Sequence, residues 1–106
     1  MRRLESTTVN GGSGETYDMN RYPADMRFND FIAAVYILFA EDKALHIGHS
    51  DNIDLVLQKN KVSESLAPEG LSSIGIVRMG SPARREEIVE DLKASLSPTI
   101  ESISQD

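Results

Sequence analysis

The fold is decided by residues 32–48, which read IAAVYILFAEDKALHIG. The first nine of these residues are apolar and rich in the β-branched and aromatic types that favour strands. A continuous apolar run of this length predicts a strand buried on both faces, because a half-exposed strand would alternate with polar residues. A short polar turn at 41–43 separates it from a second extended stretch at 44–48. We therefore predict two antiparallel neighbouring strands joined by a hairpin.

Downstream of this hairpin the pattern predicts a helix over about residues 51–58, a loop over 61–70 and a third strand over 71–79. The last helix is the clearest, because Ser81 suits the N-cap and Pro82 the first helical position. The order strand, strand, helix, strand, helix predicts an α+β fold. In this fold the helices pack on a small antiparallel three-stranded sheet.

The N-terminal residues 1–28 are rich in Gly, Ser, Thr and Asn and show no sustained apolar period. This composition predicts a flexible tail, which leaves residues 29–106 as the folded domain. The longest apolar stretch is about half the length of a membrane-spanning helix, and the first residues lack the apolar core of a secretory signal. We therefore expect a cytoplasmic protein without a membrane partner.

The formal net charge of -6 disfavours sequence-independent binding to nucleic acid, which depends on basic residues that displace counterions from phosphates. A protein partner suits this charge better, and self-association stays open. The chain has no cysteine, which excludes disulfides and thiolate metal sites. His46 and His49 are three residues apart on a strand and so point to opposite faces. We expect no metal site and no cofactor from these residues.

The predicted hairpin carries AVYIL at residues 34–38 and LHIGHS at residues 45–50. These two sequence motifs and the element order resemble the GIY-YIG nuclease domains over roughly residues 31–106. The resemblance is greatest to the compact single-domain branch of that family. In those domains the two strands carry Gly-Ile-Tyr and Tyr-Ile-Gly. A helix with an Arg, a third strand and a helix with a metal-binding Glu follow. The resemblance implies a nuclease-like pocket at the hairpin.

In that pocket Tyr36 matches the first Tyr of the family, His46 replaces the second, and Gly48 matches the Gly. Side chains alternate along a strand, so Tyr36 and His46 share one face if the hairpin pairs residues whose numbers sum to an even total, such as 82 or 84.

The other two functional positions of the family have lost their chemistry. The resemblance places the Arg at Leu55 or Val56, and neither side chain can bind a phosphate. It places the metal-binding Glu at Val89, which cannot ligate Mg²⁺.

These losses predict a catalytically impaired domain that serves as a binding or regulatory module. The alternative is a Mg²⁺-dependent DNA endonuclease in which Tyr36, His46, Lys59 and Glu90 form a rearranged site. Glu90 lies about 100° around the last helix from Val89, so we expect that its recruitment requires a rotation of the helix. A third hypothesis is an acidic mimic of nucleic acid that binds a basic protein.

Overall fold

The computed structural model describes residues 4–28 and 32–100. Five strands form one antiparallel sheet: β1 (Glu5–Asn10), β2 (Thr16–Pro23), β3 (Ala34–Ala40), β4 (Lys43–Ser50) and β5 (Ser73–Arg78). The helices are α1 (Ile53–Lys59), α2 (Val62–Ser65) and α3 (Pro82–Leu96), and a 3₁₀ turn spans Ala67–Glu69. The order across the sheet is β1-β2-β5-β3-β4, so β1 and β4 are its two edges.

The apolar strand β3 lies inside the sheet, between β5 and β4. Its odd-numbered side chains pack in a cluster with α3, and its even-numbered side chains pack in a second cluster with α1 and α2. Helices thus cover β3 on both faces, which explains why the strand carries no alternating polar residues.

The β3–β4 hairpin has the even register that brings the two predicted rings together. Tyr36 lies opposite Gly48 and Leu38 lies opposite His46, and a one-residue irregularity follows Leu38. The paired numbers sum to 84, and the ring centroids of Tyr36 and His46 lie 5.8 Å apart. The prediction that these two side chains share a face is confirmed.

Helix α3 begins as its sequence predicts. The Ser81 hydroxyl accepts a hydrogen bond from the backbone N–H of Arg84, at 3.2 Å, and Pro82 occupies the first helical position. Ile88, Val89 and Leu92 form the buried stripe that packs on the sheet. The helix ends at Ser97, which has a left-handed backbone.

The prediction of a three-stranded sheet is wrong, because the N-terminal segment adds two strands. β2 pairs with β5 and β1 pairs with β2, so residues predicted as a flexible tail extend the same sheet. Tyr17 and Met19 alternate with exposed neighbours and enter the core cluster under α3. Val9 on β1 enters the same cluster, and three inward side chains were too weak a pattern to stand out in a polar segment.

Contacts with α3 hold this N-terminal hairpin in place. Asp91 accepts hydrogen bonds from Ser13 N, Ser13 Oγ and Tyr17 Oη, at 2.8, 2.8 and 2.6 Å. A Cβ at Gly11 would lie 1.9 Å from Asp91 Oδ2, so only glycine allows the loop to approach this closely. We call this set of contacts the hairpin latch.

Two local predictions also need correction. Residues 61–70 are not an open loop, because α2 and the 3₁₀ turn occupy most of them. Helix α1 begins at Ile53 and not at residue 51, and its N-cap is Asn52, whose side chain accepts a hydrogen bond from Leu55 N. In the described ranges, no helix combines the length and apolar character needed to cross a bilayer.

Candidate functional site

The main candidate site is a cleft of about 700 Å³ between the β4 edge of the sheet and α3. Its volume falls in the range of roughly 300–1,000 Å³ that is usual for small-ligand pockets. The lining combines buried side chains from the hairpin with charged side chains from the helix. These residues are Tyr36, His46, Ile47, Gly48, His49, Glu86, Glu87, Val89, Glu90 and Lys93.

Tyr36 supplies a phenol to this cleft. Its ring packs against Gly48, where a Cβ would lie 2.5 Å from Tyr36 Oη. The side chain is 4% exposed, and its hydroxyl has no hydrogen-bond partner within residues 4–28 and 32–100. Burial raises the pKa of Tyr36 to about 12. The group is therefore a neutral phenol at physiological pH, able to donate a hydrogen bond but poorly suited to removing a proton.

His46 lies beside Tyr36 and is 7% exposed. Its Nδ1 lies 2.9 Å from the carbonyl oxygen of Ile100. A carbonyl can only accept, so Nδ1 carries the proton and Nε2 keeps a free lone pair. Burial lowers the pKa of His46 below its ordinary value of 6.5, against an opposing effect of the Ile100 carbonyl. The ring is thus neutral at pH 7, with Nε2 as an acceptor.

His49 has the opposite tautomer because of Arg85. The Arg85 Nε donates to His49 Nδ1 at 3.1 Å, which leaves the proton of the neutral ring on Nε2. Arg85 also donates to the carbonyls of Met79 and Gly80, at 3.1 and 2.9 Å. Arg85 is 4% exposed, although it lies on a helix that carries several exposed charged side chains.

The helical wall of the cleft has an apolar base and a charged rim. Val89 is buried against the sheet. Above it, Glu90 Oε2 lies 3.7 Å from Lys93 Nζ, and Arg84 Nη1 lies 3.2 Å from Glu87 Oε1. Both pairs join residues three positions apart on α3 and are solvent-exposed.

Three of the four residues of the predicted rearranged active site line this cleft. Tyr36, His46 and Glu90 line it together. The rotation of α3 that we expected for Glu90 is not needed, because Glu90 and Val89 both line the cleft. Lys59 is exposed at the end of α1 and does not line the cleft.

The positions at which the family carries its Arg and Glu lie apart from one another. Leu55 is 60% exposed on α1, and Val56 packs partly against the core cluster on that side. Of these three residues, only Val89 lines the cleft.

The position that the resemblance assigns to the metal ligand does not fit Mg²⁺. Mg²⁺ prefers carboxylate and other oxygen ligands. Val89 offers none, and Glu90 is paired with Lys93. Across the described residues, no group of three or more His, Cys, Asp or Glu side chains is arranged to hold a metal ion. No reaction step through a metal can be derived from these side chains.

Comparisons with protein-family models, curated proteins and solved structures find no match. The resemblance to GIY-YIG domains therefore rests on the residues of this chain alone and stays a prediction.

The structure also reveals cleft residues that sequence reasoning did not select. These residues are Glu86, Glu87 and Lys93, which line the cleft from α3. Their helical spacing relative to Val89 was visible in the sequence. What was missing was the position of α3 over the edge strand, which no local pattern specifies.

Proposed function

We propose that this chain is a catalytically impaired GIY-YIG-like domain that acts as a protein-binding or regulatory module. The observation that carries the proposal is the buried Val89 in the cleft wall, at the position where the resemblance expects a metal-binding carboxylate. An aliphatic group there supplies no ligand for a divalent cation.

The phosphate-binding position supports the same proposal. Leu55 projects an apolar side chain into solvent on α1, and Val56 is half-buried beside it. Neither can replace the planar, five-donor guanidinium that recognises a phosphate. Loss of both positions removes substrate binding as well as metal binding.

The electrostatics of the chain favour a protein partner over nucleic acid. The net charge is -6, and three glutamates line the cleft against a single lysine. A phosphate backbone would be repelled at this surface. The lack of cysteine fits a cytoplasmic setting, and self-association remains an alternative to a different protein partner.

A nicking assay tests this proposal. Supercoiled plasmid is incubated with the protein in Mg²⁺ or Mn²⁺, alongside Tyr36→Phe and Glu90→Gln variants. We expect no nicking above the background of the buffer, and no difference among the three proteins. Metal-dependent nicking that both substitutions abolish would overturn the proposal.

The second candidate is the Mg²⁺-dependent endonuclease with a rearranged site. The observation in its favour is that Tyr36, His46 and Glu90 line one cleft. Two observations oppose it: Lys59 lies outside the cleft, and burial keeps the Tyr36 phenol protonated, with its pKa raised to about 12.

The acidic-mimic hypothesis is a narrower form of protein binding. It predicts a basic partner and an affinity that falls steeply as salt is added, because long-range charge attraction is screened. Salt-insensitive association with a partner would count against it.

A further inference from the structure

Two polar atoms of largely buried side chains open onto the cleft. The hydroxyl of Tyr36 and Nε2 of His46 belong to side chains that are more than nine-tenths buried, and both side chains line the cleft. Neither atom makes a hydrogen bond to any residue in the described part of the chain. Across the described residues no fully buried side-chain nitrogen or oxygen lacks a hydrogen-bond partner, so these two atoms are open to solvent in the cleft. A ligand that enters the cleft can take over the hydrogen bonds that solvent makes to them.

The charges at the rim indicate what kind of ligand fits. Glu86, Glu87 and Glu90 line the cleft along α3. Glu87 and Glu90 have ion-pair partners on the helix, whereas Glu86 has none among residues 4–28 and 32–100. Among the described residues that line the cleft, Lys93 is the one lysine or arginine. It is exposed, and its Nζ lies 3.7 Å from Glu90 Oε2. Since Arg84 pairs with Glu87 and Lys93 pairs with Glu90, Glu86 is the carboxylate of the lining that is left to attract a cation.

We propose that the cleft binds an arginine side chain presented by a basic polypeptide segment. Its planar guanidinium has five N–H donors, enough to serve His46 Nε2 and one or two glutamates together. Tyr36 Oη and the Nε2–H of His49 are donors that suit the backbone carbonyls beside the arginine. The volume of about 700 Å³ leaves room for those flanking residues.

This inference rests on the proposed function, since a working nuclease would place a phosphate at the same cleft. It goes further by naming the chemistry that the cleft recognises. Lysine is a weaker fit, because a compact ammonium cannot span the separate acceptors.

The test is an NMR titration of the full chain with two blocked pentapeptides. One probe is acetyl-Gly-Ser-Arg-Ser-Gly-amide, and the other replaces arginine with citrulline, which has the same shape but no charge. We expect saturable shifts of the Tyr36 and His46 ring signals with the arginine probe. The citrulline probe should bind at least about tenfold more weakly, because it loses the charge-assisted hydrogen bonds.

Variants localise the effect. Glu86→Gln and Glu90→Gln should each weaken binding of the arginine probe roughly threefold, as expected for partly exposed charge pairs. Glu64→Gln is the matched control, because Glu64 is exposed on α2 and does not line the cleft. It should leave the affinity unchanged. All variants should keep the wild-type amide spectrum away from the substituted residue.

The possible failures are distinguishable. If the arginine probe causes no shifts, or the citrulline probe binds equally well, the inference is overturned. Absence of nicking in the same preparation would leave the proposed function standing. Metal-dependent nicking together with cleft shifts on adding a short oligonucleotide would overturn both.

Discussion

The cross-strand pair of Tyr36 and Gly48 shows how a single residue shapes the cleft. A phenol ring lies over the backbone at Gly48, in the space that any larger residue would fill with its own Cβ. This contact carries the Tyr36 hydroxyl towards the sheet edge. The glycine is therefore needed for packing and not for an unusual backbone angle, since Gly48 is not among the residues with positive φ.

Replacing Gly48 by alanine should destabilise the protein. The added methyl group would meet Tyr36 Oη at 2.5 Å and Cζ at 2.7 Å, so the ring must move. We expect the free energy of unfolding in urea to fall by about 1–3 kcal/mol, as for other overpacked sites. Gly80→Ala is the control, because a Cβ there has nothing within 4 Å. An equal loss in both variants would contradict this account of Gly48.

The two histidines should show opposite tautomers in one spectrum. Long-range ¹H–¹⁵N correlations at neutral pH should place the proton of His46 on Nδ1, held by the Ile100 carbonyl. They should place that of His49 on Nε2, because Arg85 donates to its Nδ1. Arg85→Gln should change the His49 pattern and leave that of His46 intact. Identical tautomers in the wild type would refute the geometry.

The same residue-scale contacts give His46 a role in pH dependence. Burial depresses its pKa below 6.5 in the folded state, so folding favours the neutral ring. The stability that His46 contributes is present above pH 6.5 and is lost as the pH falls through the folded-state pKa. Following the His46 ring proton by NMR should give a titration midpoint below 6.5. A midpoint above that value would be inconsistent with this buried environment.

At the scale of elements, the hairpin latch joins the first two strands to the last helix. Ser13 and Tyr17 donate to Asp91, and Gly12 N donates to the backbone carbonyl of Asp91 at 2.8 Å. The Tyr17 hydrogen bond, followed by those from Ser13, lowers the pKa of Asp91 below its ordinary value. The latch thus requires an ionised carboxylate.

Because the latch needs an ionised Asp91, the stability of the protein should depend on pH in the acidic range. Because the pKa of Asp91 is lower in the folded state, its contribution is present above the unfolded-state pKa and is lost as the pH falls below about 4. The difference in urea midpoint between wild type and Asp91→Asn should therefore shrink on acidification. Glu86→Gln, on the same helix but without an ion pair in the described chain, should show no such trend. A constant difference at all pH values would count against the latch.

At the scale of the whole molecule, the sheet is one continuous unit of five strands. β5 lies between β2 and β3, so it is an inner strand only because the N-terminal hairpin is present. The radius of gyration is 12.4 Å, close to the value of about 13 Å expected for a compact domain of about 100 residues. The hairpin is therefore part of the domain.

Removal of the hairpin should have a global effect. A chain that starts at residue 25 loses Tyr17 and Met19 from the core and exposes the edge of β5. We expect loss of cooperative unfolding, because a small domain has a stability of only about 5–15 kcal/mol. Circular dichroism during urea titration measures this. Thr8→Ala, an exposed change on β1, should shift stability by less than about 0.5 kcal/mol. An unchanged midpoint for the truncated chain would restore the tail interpretation.

The sequence by itself determined the elements whose signals are local. Three features depend on a few neighbouring residues each: the apolar run of β3, the short polar turn after it, which spans residues 41–42, and the Ser81-Pro82 start of α3. Strand alternation also predicted that Tyr36 and His46 share a face if the hairpin has an even register, because side-chain direction repeats every two residues. The structure supplies that register.

Only the tertiary structure decided the strand count, the burial of Arg85 and the cleft. The contacts responsible join residues far apart in the chain, such as Tyr17 and Asp91, which are 74 positions apart. A polar hairpin with three inward side chains has no strong local signal, and its contacts with the distant Asp91 carboxylate hold it in place. The cleft likewise exists only because α3 lies over the edge strand β4, which depends on the packing of the whole core.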